Sequence, residues 1–269
     1  MSQAPPVTAP IGIFDSGIGG LTVARAVYER LPHESTVYFG DTARVPYGPK
    51  SPETVRRYSL EILDWLLRQD VKAVVIACNT STAHALETLQ QHSPVPVIGV
   101  IEPGARAAAA ASRSGLIGVI GTAGTIASNA YARAIQGVRP DARVEQRACP
   151  LFVPLVEEGW FEHPAAELIA REYLEPMRRA GVDTLVLGCT HYPLLKPLLQ
   201  RILGPDVVLI DSGEETAGVV VDALEQLRAP ADSKISHRFA VSDDEARFRQ
   251  VGARFIGERL DRAEVVPLD

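Results

Sequence analysis

Two cysteines in this sequence stand at the point where a short apolar run gives way to polar residues. Residues 75–80 read VIACNT around Cys78, and residues 186–191 read VLGCTH around Cys189. If an α-helix begins at such a point, its unpaired N–H groups and the positive end of its dipole lower the pKa of the thiol from its usual value of about 8.5. Each cysteine is therefore a candidate base or nucleophile.

The third cysteine, Cys149, lies between Ala148 and Pro150 with no polar cluster beside it. Free cysteine is among the most buried residue types and usually only fills space, which is the role we expect for Cys149. An odd number of cysteines without a C-x-x-C motif also excludes a disulfide framework and indicates a reducing compartment.

Several chemistries could use the other two thiols. A cysteine-dependent phosphatase is excluded, because it needs an arginine where this chain has His84 and Leu195. A zinc hydrolase with Cys78, Cys189 and His191 as ligands is an alternative, whereas a Cys–His acyl-transfer pair would leave one thiol without a role. Inversion of a stereocentre uses both thiols, since one base removes a proton from one face of a carbon and a conjugate acid returns a proton to the other.

The lysines bear on whether such a reaction would use a cofactor. The α-proton of an amino acid is so weakly acidic that many enzymes recruit pyridoxal phosphate, which is held by a Schiff-base lysine. Lysine occurs only at positions 50, 72, 196 and 234. Two of these flank prolines, Lys72 precedes the core of an apolar run and Lys234 lies in a polar linker. We therefore expect neither cofactor nor metal, and catalysis by orientation, desolvation and preorganised hydrogen bonds.

Short apolar strands alternating with helices must position these residues. Mostly apolar runs of about four to seven residues suit parallel strands that helices cover on both faces. Strands are predicted over Ile11–Phe14, Val37–Phe39, Val71–Ala77, Val95–Ile101, Ile117–Ile120, Thr184–Leu187, Val207–Ile210 and Arg238–Val241. Helices are predicted over Leu21–Arg30, Ser51–Arg68, Thr80–Gln91, Ala105–Ser112, Ser128–Gln136, Pro164–Ala180 and Pro193–Leu203, then after Gly213 and from Asp243 to about Leu260.

The chain also repeats itself at an interval of about 110 residues. Besides the two cysteines, the run that ends at Asp15 aligns with the run that ends at Thr122, and residues 97–100 align with residues 208–211. We predict an α/β fold of two similar lobes, each a mostly parallel sheet flanked by helices, related by pseudo-twofold symmetry.

The repeat also sets the predicted domain boundaries. Residues 1–100 plus 212–269 are expected to form the first lobe, which carries Asp15 and Cys78. Residues 101–211 are expected to form the second lobe, which carries Cys189 and His191. Sites in open α/β sheets lie at the carboxyl ends of the strands, so a cleft between the lobes would bring the two thiols together.

Two loops have the composition of binding loops. Residues 15–20, DSGIGG, would bring backbone N–H groups close to an anion, although Thr22 stands where a dinucleotide fingerprint needs its third glycine. Residues 40–48 combine a proline, an aromatic residue and glycines, as rigid binding loops do. Glu157 and Glu158 form an acidic pair, and the sequence pattern alone gives little reason to assign Glu157 a function.

The overall composition narrows the class of protein. A chain of 269 residues with 46% apolar and 22% charged residues is typical of a soluble globular protein. A net charge of −6 with scattered arginines argues against nucleic acid as the main partner and against a membrane surface. No apolar run approaches the length of a membrane span or a signal peptide, so we expect a cytoplasmic protein.

Five motifs, in order, resemble those of the bacterial glutamate racemases in the aspartate/glutamate racemase family. They are FDSGIGGLT at 14–22, GDTARVPYG at 40–48, ACNT at 77–80, GVIEPG at 99–104 and GCTHYPL at 188–194. The resemblance runs from about residue 11 to residue 214 and more loosely through Phe239 to Gly257. The ending His191-Tyr192-Pro193 is more similar to the glutamate enzymes than to aspartate racemases.

The resemblance implies roles for individual residues. Cys78 would deprotonate D-glutamate with help from Asp15, and Cys189 would deprotonate L-glutamate with help from His191. Glu157 matches an acidic position that the family places at the site. The substrate-binding residues implied are Asp15, Ser16, the backbone of Pro46, Tyr47 and Gly48, and Asn79, Thr80, Thr122, Thr190 and His191.

The resemblance also implies an enzyme that needs no cofactor, is usually a homodimer and supplies D-glutamate for peptidoglycan. One departure is Gly124, where relatives usually carry alanine; glycine is expected to loosen this loop and bears on the role of Thr125. A zinc hydrolase and a two-lobed module that binds an amino acid without catalysis are the alternatives. The binding module would explain the loops but not two thiols at strand ends.

Overall fold

The computed structural model describes residues 5–257 and 260–268, which form strands alternating with helices. The strands are β1 (Ile11–Asp15), β2 (Thr36–Gly40), β3 (Ala73–Ile76), β4 (Val97–Gly99), β5 (Leu116–Gly121), β6 (Arg143–Ala148), β7 (Thr184–Gly188), β8 (Val208–Asp211), β9 (His237–Val241) and β10 (Glu264–Val265).

Helices connect these strands. They are α1 (Leu21–Arg30), α2 (Pro52–Leu67), α3 (Asn79–His92), α4 (Ile101–Ala111), α5 (Ala123–Ala127), α6 (Ala130–Val138), α7 (Phe152–Glu157), α8 (Pro164–Ala180), α9 (Lys196–Leu203), α10 (Ser212–Ala223) and α11 (Glu245–Ile256). A 3₁₀ turn over Tyr192–Leu195 leads into α9. Over the described residues, no helix combines the length and the apolar character that a bilayer crossing requires.

The strands form two parallel sheets. One has the order β10-β9-β2-β1-β3-β4 and the other the order β6-β5-β7-β8. All strand pairs in both sheets are parallel, and the strands β1, β2, β3, β5 and β7 are buried along their whole length. Strands covered on both faces by helices need the continuous apolar runs seen in the sequence. The predicted α/β fold class is confirmed.

The two sheets share one connectivity. Counted within each lobe, β2-β1-β3-β4 and β6-β5-β7-β8 are both in the order second, first, third, fourth. Asp15 ends the first strand of one sheet, and Thr122 follows the first strand of the other; Cys78 and Cys189 each follow the third strand. The sequence repeat therefore corresponds to equivalent places in two sheets. The domain boundaries drawn from it stay a prediction.

Several element boundaries differ from the sequence-based expectations. Strand β6 was not predicted, because its residues RVEQRA alternate in burial and carry charges. Helix α4 begins at Ile101 instead of Ala105, since Pro103 and Gly104 are both accommodated in its first turn. Helix α11 ends at Ile256. Of the predicted extension to about Leu260, residues 258–259 lie outside the described part of the chain.

Candidate active site

A cavity at the carboxyl ends of the strands collects side chains from both sheets. The residues that line it and that the sequence predicts for the site are Asp15, Ser16, Pro46, Tyr47, Gly48, Cys78, Asn79, Thr80, Thr122, Cys189, Thr190 and His191. Every predicted site residue except Glu157 is therefore brought to one place. Val45 and Val153 complete the lining and were not predicted, because an isolated valine carries no sequence signal for a site.

Cys78 lies at the start of α3, as its sequence context predicts. Its Sγ accepts a hydrogen bond from the backbone N–H of Ser81 at 3.4 Å, and its thiol donates to Ser16 Oγ at 3.6 Å. Burial nevertheless raises the pKa of Cys78, and together with the nearby Asp15 brings it to about 11. The expectation of a lowered pKa is wrong for this thiol, because desolvation of the thiolate outweighs the helix N-terminus.

Asp15 ends β1 and is almost fully buried, with 1% of its surface exposed. Its Oδ2 accepts a hydrogen bond from the backbone N–H of Gly17 at 3.0 Å. Its Oδ1 is buried and has no hydrogen-bond partner among the described residues. Burial raises the pKa of Asp15, and the charge of His191 partly offsets that effect. An unpartnered carboxyl oxygen at a cavity wall is available to accept from a bound cation or to exchange a proton.

Cys189 belongs to a chain of three groups on the other side of the cavity. Its Sγ lies 3.8 Å from His191 Nδ1, and His191 Nε2 lies 3.0 Å from Glu157 Oε1. Burial lowers the pKa of His191, but the hydrogen bonds to Cys189 and Glu157 raise it more, to about 10. At neutral pH the imidazolium therefore donates from both nitrogens, one to the thiol sulfur and one to the carboxylate.

Glu157 lies behind His191 and not in the cavity wall. Burial raises the pKa of Glu157, but the hydrogen bond to His191 and the neighbouring Arg247 lower it below its usual value. Glu157 thus acts on the site through His191. The sequence did not reveal this contact, because it joins residues 34 positions apart.

The stability of the His191–Glu157 pair is expected to depend on pH. A histidine whose pKa is raised to about 10 stabilises the fold fully below its unfolded pKa of about 6.5, and this contribution is lost as pH rises through 10. Glu157, with a lowered pKa, contributes above its unfolded value of about 4.3 and loses that contribution in acid. Wild type should therefore exceed Glu157→Gln in free energy of unfolding by about 1–3 kcal/mol near pH 6.

Urea denaturation of both proteins at pH 6, 8 and 10 measures this difference. It should shrink steadily towards pH 10. A difference that is constant over the range would contradict an ionic pair and indicate a neutral hydrogen bond.

Hydroxyl groups join the two sheets on the far wall of the cavity. Thr80 Oγ1 lies 2.8 Å from Thr122 Oγ1, which lies 3.0 Å from Thr125 Oγ1. The backbone N–H of Gly124 donates to Gly48 O at 2.8 Å, and a Cβ at this position would lie 2.9 Å from that oxygen. The loop at Gly124 therefore lies close to residue 48, and whether glycine loosens it stays a prediction.

The glycine-rich loop of the first lobe lies directly against the second cysteine's loop. A Cβ on Gly19 would overlap Thr190 Oγ1 and His191 Nδ1, while Thr22 Oγ1 donates to Thr190 O at 3.0 Å. Gly19 is thus needed for the close approach of these two loops at the site.

Gly19→Ala is expected to displace His191 and to lower kcat by about tenfold to 100-fold, because misplacement of a catalytic group by about 1 Å can cost that much. Gly218→Ala is the matched control, since Gly218 lies in α10 with nothing within 4 Å of an added Cβ. That variant should keep full activity and unfold at a slightly higher temperature. Steady-state kinetics and thermal melts of both variants make the comparison, and equal activities would contradict the role of Gly19.

The zinc alternative requires Cys78, Cys189 and His191 around one ion. Among residues 5–257 and 260–268, no group of three or more His, Cys, Asp or Glu side chains is placed to hold a metal ion. The thiols instead have separate partners, Ser16 for Cys78 and His191 for Cys189. The two thiols therefore face one cavity with separate polar partners.

Known proteins are similar to this chain in both sequence and fold. The family model described as Asp/Glu/Hydantoin racemase matches residues 21–220. The chain is 58% identical over 261 residues to "Glutamate racemase" of Geobacter metallireducens, covering 96% of this chain and 97% of that protein.

Two solved structures are also similar. Glutamate racemase from Thermus thermophilus in complex with beta-chloro-D-alanine matches with a TM-score of 0.89 and 47% identity, covering 98% of each chain. Glutamate racemase from Francisella tularensis in complex with D-glutamate matches with a TM-score of 0.91 and 39% identity, over 98% of this chain and 99% of that one. The chain therefore belongs to the Asp/Glu/hydantoin racemase family, and within it to the glutamate racemases.

Proposed function

We propose that this protein interconverts L-glutamate and D-glutamate by two-base proton transfer between Cys78, Cys189 and the substrate Cα. One observation carries the proposal: a cysteine from the equivalent place in each sheet lines the same cavity. Each thiol also has its own polar partners, which suits two bases that act from opposite faces.

In the L-to-D direction, the Cys189 thiolate removes the Cα proton of L-glutamate and becomes a thiol. The carbanion then takes a proton from the Cys78 thiol on its opposite face, which yields D-glutamate and leaves Cys78 as a thiolate. A pKa of about 11 keeps Cys78 protonated at neutral pH, as this direction needs. The His191 imidazolium, with a pKa of about 10, stabilises the neighbouring Cys189 thiolate.

In the D-to-L direction the two thiols exchange roles. Cys78 must first lose its proton, and the Asp15 carboxylate, which its raised pKa makes a stronger base, accepts it. The Cys78 thiolate then removes the Cα proton of D-glutamate. The Cys189 thiol then protonates the other face of Cα.

Hydroxyl, amide and backbone groups hold the substrate. Ser16, Asn79, Thr80, Thr122 and Thr190 supply donors for the two carboxylates, and Asp15 Oδ1 is placed to accept from the ammonium group. The part of the lining that the structure describes contains no lysine, which supports a reaction without a Schiff base. Preorganised donors in a cavity shielded from water are the alternative means of stabilising the carbanion.

Circular dichroism of L-glutamate incubated with dialysed enzyme tests this function. The signal should decay to zero without any added cofactor, and in D2O each product molecule should carry deuterium at Cα. Racemisation without solvent label would contradict the two-base mechanism. Tight binding of glutamate with an unchanged signal over hours would favour a binding module, and loss of activity on chelation would favour the zinc alternative.

The biological role follows from the product. D-glutamate supplied by this reaction is a building block of peptidoglycan, so the enzyme serves cell-wall synthesis. We also propose that the protein is a homodimer, as the family resemblance implies. Sedimentation equilibrium should give twice the monomer mass of 29.0 kDa, and a single 29.0 kDa species would contradict this proposal.

A further inference from the structure

Helix α11 contacts the Glu157–His191 pair although it belongs, by its connections, to the other sheet. Arg247 Nη2 lies 3.4 Å from Glu157 Oε2, on the carboxylate oxygen that His191 does not use. Two turns later, the Arg254 guanidinium donates to the backbone carbonyl of Glu157. The helix therefore contacts both the side chain and the backbone of Glu157.

The same helix also touches the imidazole. The ring of Phe255 meets the ring of His191 edge to face, with centroids 5.6 Å apart and planes at 88°. Arg247, Arg254 and Phe255 are spaced seven and eight residues apart, so they lie on one face of the helix. One helix face thus covers both members of the pair.

The first lobe holds this helix in place. The Asp244 side chain caps its first turn by accepting from the backbone N–H of Arg247 at 3.0 Å. The backbone N–H of Asp243 donates to Oγ1 of Thr42 at 2.9 Å, within the predicted binding loop of residues 40–48. At the other end, Arg25 Nη1 donates to Phe255 O at 3.1 Å.

We propose that Arg247 is a positioning residue for racemisation: it fixes the Glu157 carboxylate in the orientation that holds His191 against Cys189. This inference rests on the proposed function, since it concerns the same reaction. Arg247 lies outside the cavity wall and acts through Glu157. The matched family model ends at residue 220, before the helix that carries it.

The charges around the pair decide the direction of the effect. His191 faces Cys189, Glu157 and the charge of Asp15. Glu157 faces His191 and Arg247, its backbone carbonyl accepts from Arg254, and it shares a small cavity with Asp243 and Asp244. Without Arg247, only His191 and Arg254 still offset those acidic neighbours, so Glu157 takes up a proton at higher pH and then no longer favours charged His191. The loss should therefore grow as pH falls.

Arg247→Gln is tested against Arg249→Gln. Arg249 lies on the same helix, pairs with Glu245 at 3.2 Å and has a side chain that is 49% exposed, against 54% for Arg247. For Arg247→Gln we expect the acidic limb of the pH profile of kcat/KM to move up by roughly half a pH unit, a loss of about threefold on that limb. Arg249→Gln should leave the profile unchanged, and Arg247→Lys should restore most of it.

Both directions must lose kcat/KM equally, because L- and D-glutamate have the same free energy in water. A direction-specific readout is therefore taken from the thiol itself. In a Cys78→Ser/Cys149→Ala background, Cys189 is the remaining cysteine of the chain. Its rate of alkylation by iodoacetamide, followed by mass spectrometry from pH 5.5 to 9, should show the same upward shift when Arg247→Gln is added.

The outcomes are distinct. A loss of kcat/KM by one factor at every pH, or a profile for Arg247→Gln that matches that of Arg249→Gln, would overturn the positioning role. An unshifted alkylation profile would do the same. If wild type itself fails to racemise glutamate, the proposed function fails, whereas an active wild type with an unshifted Arg247→Gln profile refutes only the role of Arg247.

Discussion

Replacing either Cys78 or Cys189 by alanine is expected to lower kcat for racemisation by about 100-fold to 10,000-fold, which is the rate enhancement that a general acid or base typically contributes. Inversion needs a proton acceptor on one face of Cα and a donor on the other. Each variant keeps only one of them, although the two thiols differ in their surroundings. The loss should appear in both directions, and polarimetry started from each enantiomer measures it.

Cys149→Ala is the matched control. Cys149 is also fully buried, and its thiol donates to Arg147 O at 3.7 Å, away from the cavity lining. Its removal should leave kcat within about twofold of wild type, with a stability cost near that of deleting a small buried side chain. Wild-type turnover by Cys189→Ala, or inactivity of folded Cys149→Ala, would show that the site is assigned wrongly.

Lys72→Met is expected to lower the free energy of unfolding by about 3–5 kcal/mol, since it leaves a buried charge without its partner. Lys72 has no exposed side-chain surface, and its Nζ donates to Glu34 Oε2 at 2.5 Å. It also donates to the backbone carbonyls of Val7 at 2.6 Å and Leu227 at 2.8 Å. One ammonium group thus connects three segments: the N-terminal segment, the loop that precedes β2 and the residues that follow α10.

Two further variants isolate the cause. Lys196→Met removes a lysine whose side chain is 31% exposed and that pairs with Asp211 and Glu214, each at 2.8 Å. It should cost only about 1 kcal/mol, because Asp211 keeps the hydrogen bonds from the backbone N–H groups of Gly213 and Glu214. Adding Glu34→Gln to Lys72→Met removes the stranded charge, so the double variant should be more stable than Lys72→Met alone. Urea denaturation gives all the values; equal costs at positions 72 and 196 would contradict the buried pair.

The sequence predicts the strands whose residues are mostly apolar, including the partly exposed β8 and β9, and misses β6 and β10. Strand β1 (Ile11–Asp15) is apolar and fully buried, and its prediction ends one residue early. Strand β6 (Arg143–Ala148) lies at a sheet edge and pairs only with β5 among the described strands, so it tolerates charged side chains and resembles a loop in sequence. A strand with few apolar residues cannot be recognised from a hydrophobic pattern in the sequence.

The site divides in the same way. Asp15 ends a strand and Cys78 and Cys189 follow strands, so the rule that parallel sheets place their sites at strand ends predicts all three. The contact of Arg247 with Glu157 joins residues 90 positions apart and depends on how α11 packs. The pKa of Cys78 was predicted in the wrong direction, because the start of a helix is visible in sequence and the depth of burial is not.

Strand β9 pairs with β2, with His237 beside Thr36. The first sheet is therefore completed by a strand that follows the whole second sheet in the chain. During synthesis the ribosome makes the segment between β2 and β9 first. At about 5–20 residues per second, roughly 200 residues take some 10–40 seconds. Until β9 is made, β2 has an open edge, and by the end of that interval the nascent chain contains both cysteines but not the helix that contacts Glu157 and His191. The finished catalyst thus appears only when its last elements have been translated.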